Sequence, residues 1–166
     1  MLRLFGLAKE SITDGPGIRY AIFTQGCPHY CEGCHNQESL SFTAGYWVEE
    51  SEIVREIAEN PLLDGITLSG GEPFMQAPEL VEIAKSAREM GLQVMTYSGY
   101  AFEELLQLSE ERSGYKDLMM YTDILIDGKF ELDKKSLDLR YRGSSNQRAI
   151  DMKRTLEEGV IVLFPL

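Results

Sequence analysis

Three cysteines stand within the eight-residue segment Cys27-Pro-His-Tyr-Cys31-Glu-Gly-Cys34, and the 166-residue chain has no others. An odd set of three thiols cannot form a fully paired disulfide framework, and a secreted scaffold would carry many more. Three chemistries compete for them. Free cysteines are often small buried hydrophobes, but Gly26 before the segment and Pro, His, Tyr and Glu within it make a poor core strand. A structural zinc site would need His29 or His35 as its fourth ligand; such sites usually join two knuckles from separate places, and a second cysteine pair is missing here. An iron–sulfur cluster is the third reading, since thiolates bind iron well. A four-iron cluster held by three cysteines leaves one iron open to a substrate.

Other segments could bear chemistry as well. Gly70-Gly71-Glu72-Pro73 follows an apolar run, so two residues without Cβ let the backbone approach a ligand closely, and Glu72 supplies a carboxylate for an ammonium. Its plain alternative is an ordinary turn. Asp127-Gly128-Lys129 reads as a turn pair or as a charged binding element. Ser98 closes another apolar run and can cap a helix or bond a ligand. Arg142 and Arg148 bracket Gly-Ser-Ser-Asn-Gln in an otherwise acidic chain, a pattern suited to an anion or to an acidic partner surface. His29 and His35 stay secondary, because a lone histidine is more often structural than a ligand.

The elements that must position these residues alternate in type. Strands are expected at 18–25, 65–69, 92–97 and 123–127, with weaker ones at 148–152 and 160–164. A helix capped by Ser51 carries Ile53, Val54, Ile57 and Ala58 on one face. A second begins at Pro78, has its stripe on Leu80, Val81, Ala84 and Ala87, and closes at Gly91; Phe102, Leu105 and Leu106 mark a third. Asp14-Gly-Pro-Gly17 reads as a turn before the first strand. Strand–helix alternation predicts an α/β fold with a parallel sheet and the helices on one side of it. Ligand sites in such folds lie at the carboxyl ends of the strands. A closed eight-strand barrel takes about 200 residues or more, so the expectation is a partial, open parallel β/α barrel of about five to six strands, in one domain spanning 1–166.

Composition sets the outer limits. Sixteen Lys and Arg against 27 Asp and Glu give a net charge of −11, which argues against a nucleic-acid partner, since phosphates need a basic face. The start lacks a secretory pattern, and no stretch nears the roughly 20 apolar residues that span a bilayer. A cytoplasmic location with no membrane partner is expected.

The cysteine spacing together with Gly70-Gly71-Glu72-Pro73 resembles the radical S-adenosylmethionine (SAM) superfamily. Asp14-Gly-Pro-Gly-Ile-Arg19, Phe23-Thr-Gln-Gly-Cys27 and Cys34-His-Asn36 resemble the activases of glycyl-radical enzymes. The run from Arg142 to Asp151, with Tyr97-Ser-Gly-Tyr100, Ile126-Asp-Gly-Lys-Phe130 and Gly33 before the third cysteine, is similar to the branch that serves anaerobic ribonucleotide reductase. Cys34-His35-Asn36 is nearer the pyruvate formate-lyase activases. The resemblance implies that Cys27, Cys31 and Cys34 hold a [4Fe–4S] cluster. It further implies that SAM binds the open iron near Gly70, Gly71, Glu72, Pro73, Ser98, Asp127, Lys129 and Asn36. Glu72 and Asp127 would meet the amino group, Lys129 the carboxylate, and Ser98 the carboxylate or ribose. Reductive cleavage of SAM would then set a glycyl radical on a large partner, with flavodoxin or ferredoxin as electron donor. Arg142 and Arg148 would touch an anion or the partner. Two other readings remain at this point: a radical SAM enzyme with a small-molecule substrate, and a zinc-binding interaction module.

Overall fold

The computed structural model describes residues 1–34 and 37–166. Seven strands make one sheet among these residues: β1 (Leu2–Ser11), β2 (Arg19–Thr24), β3 (Tyr46–Val48), β4 (Gly65–Gly70), β5 (Gln93–Tyr97), β6 (Ile124–Asp127) and β7 (Arg148–Asp151). Their order across the sheet is β3-β1-β2-β4-β5-β6-β7. The helices are α1 (Glu50–Glu59), α2 (Ala77–Glu89), α3 (Phe102–Leu108), α4 (Tyr115–Tyr121) and α5 (Met152–Glu158). None of them is long and apolar enough to cross a membrane.

The four central strands β2, β4, β5 and β6 are parallel, as the alternation predicts, while β1, β3 and β7 pair antiparallel. Seven strands replace the expected five or six. β1 escapes a local reading because Gly6 and two register shifts interrupt it, and β3 is only three residues long. Asp14–Gly17 therefore joins two strands instead of preceding the first. The expected C-terminal strand at 160–164 contributes a single bridge, Leu163 to Ile150. Ser51 lies inside the first turn of α1, whose N-cap is Glu49.

Period-two patterning divides the central strands between two faces. Tyr20, Ile22, Ile66, Leu68, Val94 and Leu125 share a core with buried residues from all five helices, among them Ile53, Leu80, Leu105, Leu118 and Met152. The opposite face carries a smaller core of Met95, Ile124, Ile126 and Ala149, against which Tyr97, Tyr141, Phe164 and Leu166 pack. Helices cover one side, so the other side is available for a site.

Arg19 anchors that second face. It is fully buried, and its Nε donates to Thr67 Oγ1 at 2.8 Å. Nη1 donates to Pro16 O and Gln93 Oε1, and Nη2 to Ile66 O and Gln93 O, all between 2.8 and 3.1 Å. Every one of these acceptors is neutral, and burial pulls the guanidinium's pKa down. Thr67 Oγ1 donates onward to Asp14 O at 2.7 Å, so the Asp14–Gly17 turn is tied to the sheet through Arg19. Arg19→Met orphans these acceptors and should cost about 3 kcal/mol in urea unfolding. A loss below about 1 kcal/mol would contradict that anchoring role.

Candidate iron–sulfur and SAM site

Because β2, β4, β5 and β6 run the same way, their carboxyl ends reach one rim of the sheet. There the chain delivers Cys27, Gly70-Gly71, Ser98-Gly99 and Gly128 to a cavity of about 590 Å³. Cys27, Cys31 and Cys34 all line it. All three are free thiols, Cys27 buried and the other two half-buried. Burial pushes the Cys27 thiol up to about 11, against a partly opposing hydrogen bond from the His29 backbone. Burial also raises Cys31, and the ammonium of Lys129 acts in the other direction.

The rim is built by close backbone contact. Gly71 N–H donates to Thr24 O at 2.7 Å and Glu72 N–H to Gly26 O at 2.8 Å. Gly70 has φ +97°, and a Cβ on it would strike the Phe23–Thr24 backbone; one on Gly71 would strike Gly26. The paired glycines thus let the end of β4 nest against the root of the cysteine loop.

Predicted site residues part company here. Gly70, Gly71 and Ser98 line the cavity beside the thiols. Glu72 is fully buried and takes hydrogen bonds from His29, Ser98, Gly99 and Phe74. Pro73 is buried at the start of the 3-10 turn Pro73–Gln76. Asp127 is 1% exposed; its carboxylate accepts from Phe102 N–H at 2.8 Å and from the Arg148 guanidinium. Lys129 is exposed and outside the cavity lining. Asn36 and His35 fall outside the described residues.

The two arginines also separate. Arg148 is engaged by Asp127 and Glu103, which lowers the Glu103 carboxyl through its hydrogen bond to the guanidinium. Arg142 lines the cavity. Its Nη1 donates to Gln147 O at 3.4 Å, and its buried Nε has no hydrogen-bond partner, so it retains donors for an anion.

Tyr97, Tyr141 and Gln147 are among the lining residues that sequence reasoning did not assign to the site. Tyr97 is raised in pKa by burial and donates its hydroxyl to Tyr141 O. Tyr141 holds φ +60°, a strained value for a residue with a Cβ, of the sort that gathers at functional sites. Gln147 braces the loop by donating to Gly128 O and accepting from Gly143 and Ser144 N–H. Their signal was adjacency: Tyr97 precedes Ser98, Tyr141 precedes Arg142, and Gln147 is the last of the residues that Arg142 and Arg148 bracket.

The donor set fits a cluster. Three thiols, with no disulfide among them, border one cavity. Among the described residues no three His, Cys, Asp or Glu side chains converge as ligands of a single ion do. Thiolates on a four-iron cluster each bond a different iron and need no such convergence.

Comparison with known proteins agrees. A family profile described as a 4Fe-4S single cluster domain matches residues 13–150. The anaerobic ribonucleoside-triphosphate reductase-activating protein of Pasteurella multocida is 35% identical over 146 residues, covering 82% of this chain and 89% of the relative. The protein of the same name from Escherichia coli K12 is 31% identical over 144 residues, covering 82% and 90%. That of Enterobacteria phage T4 is 34% identical over 143 residues, covering 81% and 85%. With the thiols, the glycine rim and this similarity over most of its length, the chain belongs to the family of anaerobic ribonucleoside-triphosphate reductase-activating proteins.

Proposed function

We propose that this chain is a radical SAM activase that generates a glycyl radical on anaerobic ribonucleoside-triphosphate reductase. The observation that carries the reading is the meeting of three free thiols with the ends of four parallel strands around one cavity. Cys27, Cys31 and Cys34 hold the [4Fe–4S] cluster, which when reduced supplies the electron that splits SAM. We take residues 1–166 as one domain, an open partial β/α barrel, in the cytoplasm, where thiols stay reduced. Flavodoxin or ferredoxin is the proposed electron donor.

The protein's own work is orientation and exclusion. Gly70 and Gly71 present backbone to the cavity without side chains in the way, and we assign their carbonyls to the SAM amino group. Ser98 Oγ, already bonded to Glu72, stiffens the adjoining wall. Arg142 is the cation we assign to the SAM carboxylate, because it lines the cavity and its Nε has no hydrogen-bond partner. Asp127 and Lys129 support the site from outside its lining, Asp127 by fixing Arg148 and the first turn of α3. The open mouth admits a loop of a macromolecular partner.

Anaerobic reconstitution with iron and sulfide, then reduction and addition of SAM, should yield 5′-deoxyadenosine, and alanine at any of the three cysteines should abolish it. With the reductase present, a glycyl radical signal should appear only when both proteins are mixed. An intact reduced cluster that releases no 5′-deoxyadenosine would sink the proposal.

The arginines give a second test with opposite signatures. Arg142→Met should weaken SAM binding about tenfold while stability changes by less than about 1 kcal/mol. Arg148→Met strands the buried Asp127 carboxylate and should cost about 2–3 kcal/mol in urea unfolding, reduced from a fully buried pair by the arginine's partial exposure. Equal effects of the two changes on SAM affinity would contradict the assignment.

A further inference from the structure

In the sequence the Glu72 carboxylate looks free to meet a ligand, but the chain itself occupies it. Oε1 accepts from His29 Nε2–H at 2.7 Å, Gly99 N–H at 2.8 Å and Ser98 Oγ–H at 2.9 Å. Oε2 accepts from Phe74 N–H at 3.1 Å and stands 3.1 Å from the same Ser98 hydroxyl. A carboxylate offers about four lone-pair sites, so these donors fill it. They come from three places: the cysteine loop, the turn after β4 and the end of β5.

His29 is the donor that comes from the cysteine loop, midway between Cys27 and Cys31. Its side chain is 5% exposed and that of Glu72 is 0% exposed, so the bond is shielded from water, and hydrogen bonds to a charged partner are the strong ones. The ring is fixed on two further sides. Tyr100 meets it edge-on with centroids 4.5 Å apart, and it lies where a Cβ on Gly99 would be. The segment around it has no helix or strand, so an internal anchor restricts many conformers.

We infer that His29 is a positioning residue. Its bond to Glu72 latches the cysteine loop to the ends of β4 and β5, so that the thiols and the Gly70–Gly71 and Ser98 walls keep one relative pose. Glu72 is then the internal post for that latch. The inference rests on the cluster-and-SAM reading of the cavity, but the latch itself can be read in iron-free protein.

The experiment compares the unaltered chain, His29→Leu and His29→Gln; Gln can place an N–H where the imidazole Nε2–H stands. In iron-free protein, amide exchange over residues 26–34 should quicken about tenfold in His29→Leu, with β4 and β5 unchanged, and should stay within about threefold in His29→Gln. After reconstitution, the SAM concentration that half-perturbs the electron paramagnetic resonance of the reduced cluster should rise about tenfold in His29→Leu and recover in His29→Gln. Glu72→Gln should loosen the same segment, and adding His29→Leu to it should loosen it no further. Should His29→Leu fail to fold, Glu72→Gln and His29→Gln carry the exchange test alone. The inference is overturned if His29→Leu exchanges like the unaltered chain, if His29→Gln restores neither readout, or if the Glu72→Gln and His29→Leu effects simply add. A SAM effect missing from the unaltered protein counts against the cluster-and-SAM reading instead, and leaves the exchange comparison standing.

Discussion

Parallel pairing of β2, β4, β5 and β6 is the constraint from which the rest follows. Parallel strands cannot be joined by a tight turn, so each connection must cross over the sheet, and most crossovers carry a helix. α1, α2 and the α3–α4 pair occupy those crossovers, and their apolar stripes bury one face of the sheet. The same directionality sends four strand ends to one rim. A cysteine loop, a glycine pair, a serine and a glycine turn, distant in sequence, thereby become walls of one cavity. An antiparallel arrangement of these four strands would send alternate ends to opposite edges and scatter them.

A rim made this way is crowded, and the crowding is met with backbone. Gly26, Gly70 and Gly71 lie so close that a methyl group on either Gly70 or Gly71 would collide with main chain. Close approach leaves amides that need partners. Gly71 and Glu72 N–H find carbonyls of the β2 end, while Gly99 and Phe74 N–H find the Glu72 carboxylate. Buried main-chain donors rarely stay unpaired, and a buried carboxylate needs several donors to be tolerated. The two needs answer each other at Glu72. A glutamate right after the glycine pair therefore has a structural reason that does not depend on a ligand.

What could be read locally was read well. Thiol spacing is a sequence property, and so are the period-two apolar runs of the central strands and the helical stripe from Leu80 to Ala87, all of which recur in the fold. Failures occur where the outcome is set by a distant partner. β3 is a strand because β1 lies beside it, and three residues hold no period. Asp127 and Glu72 carry the same charge in the sequence as any ligand-binding acid would. Only the fold brings Arg148 and Phe102 N–H to one, and His29, Ser98 and Gly99 to the other. Arg142 and Arg148, equivalent by sequence, are divided by a neighbour: Glu103 and Asp127 meet one, and the cavity meets the other.

Net charge shows the same separation of scales. The total of −11 comes largely from exposed helix faces such as Glu49 to Glu59, where water and salt screen each carboxylate within a Debye length of about 8–10 Å. The sheet face away from the helices has a different balance. Arg19 lies fully buried on it, Arg142 lines the cavity, and Asp14 is the one acid among the lining residues. Charges held in a poorly solvated hollow act more strongly than the same charges on a wet surface. Cys27 and Cys31, whose burial favours the neutral thiol, must become thiolates to hold iron; the His29 backbone hydrogen bond works against that burial at Cys27, and the Lys129 ammonium is among the groups that do so at Cys31. An acidic exterior is therefore compatible with a cavity whose lining carries one arginine, Arg142, and one acid, Asp14.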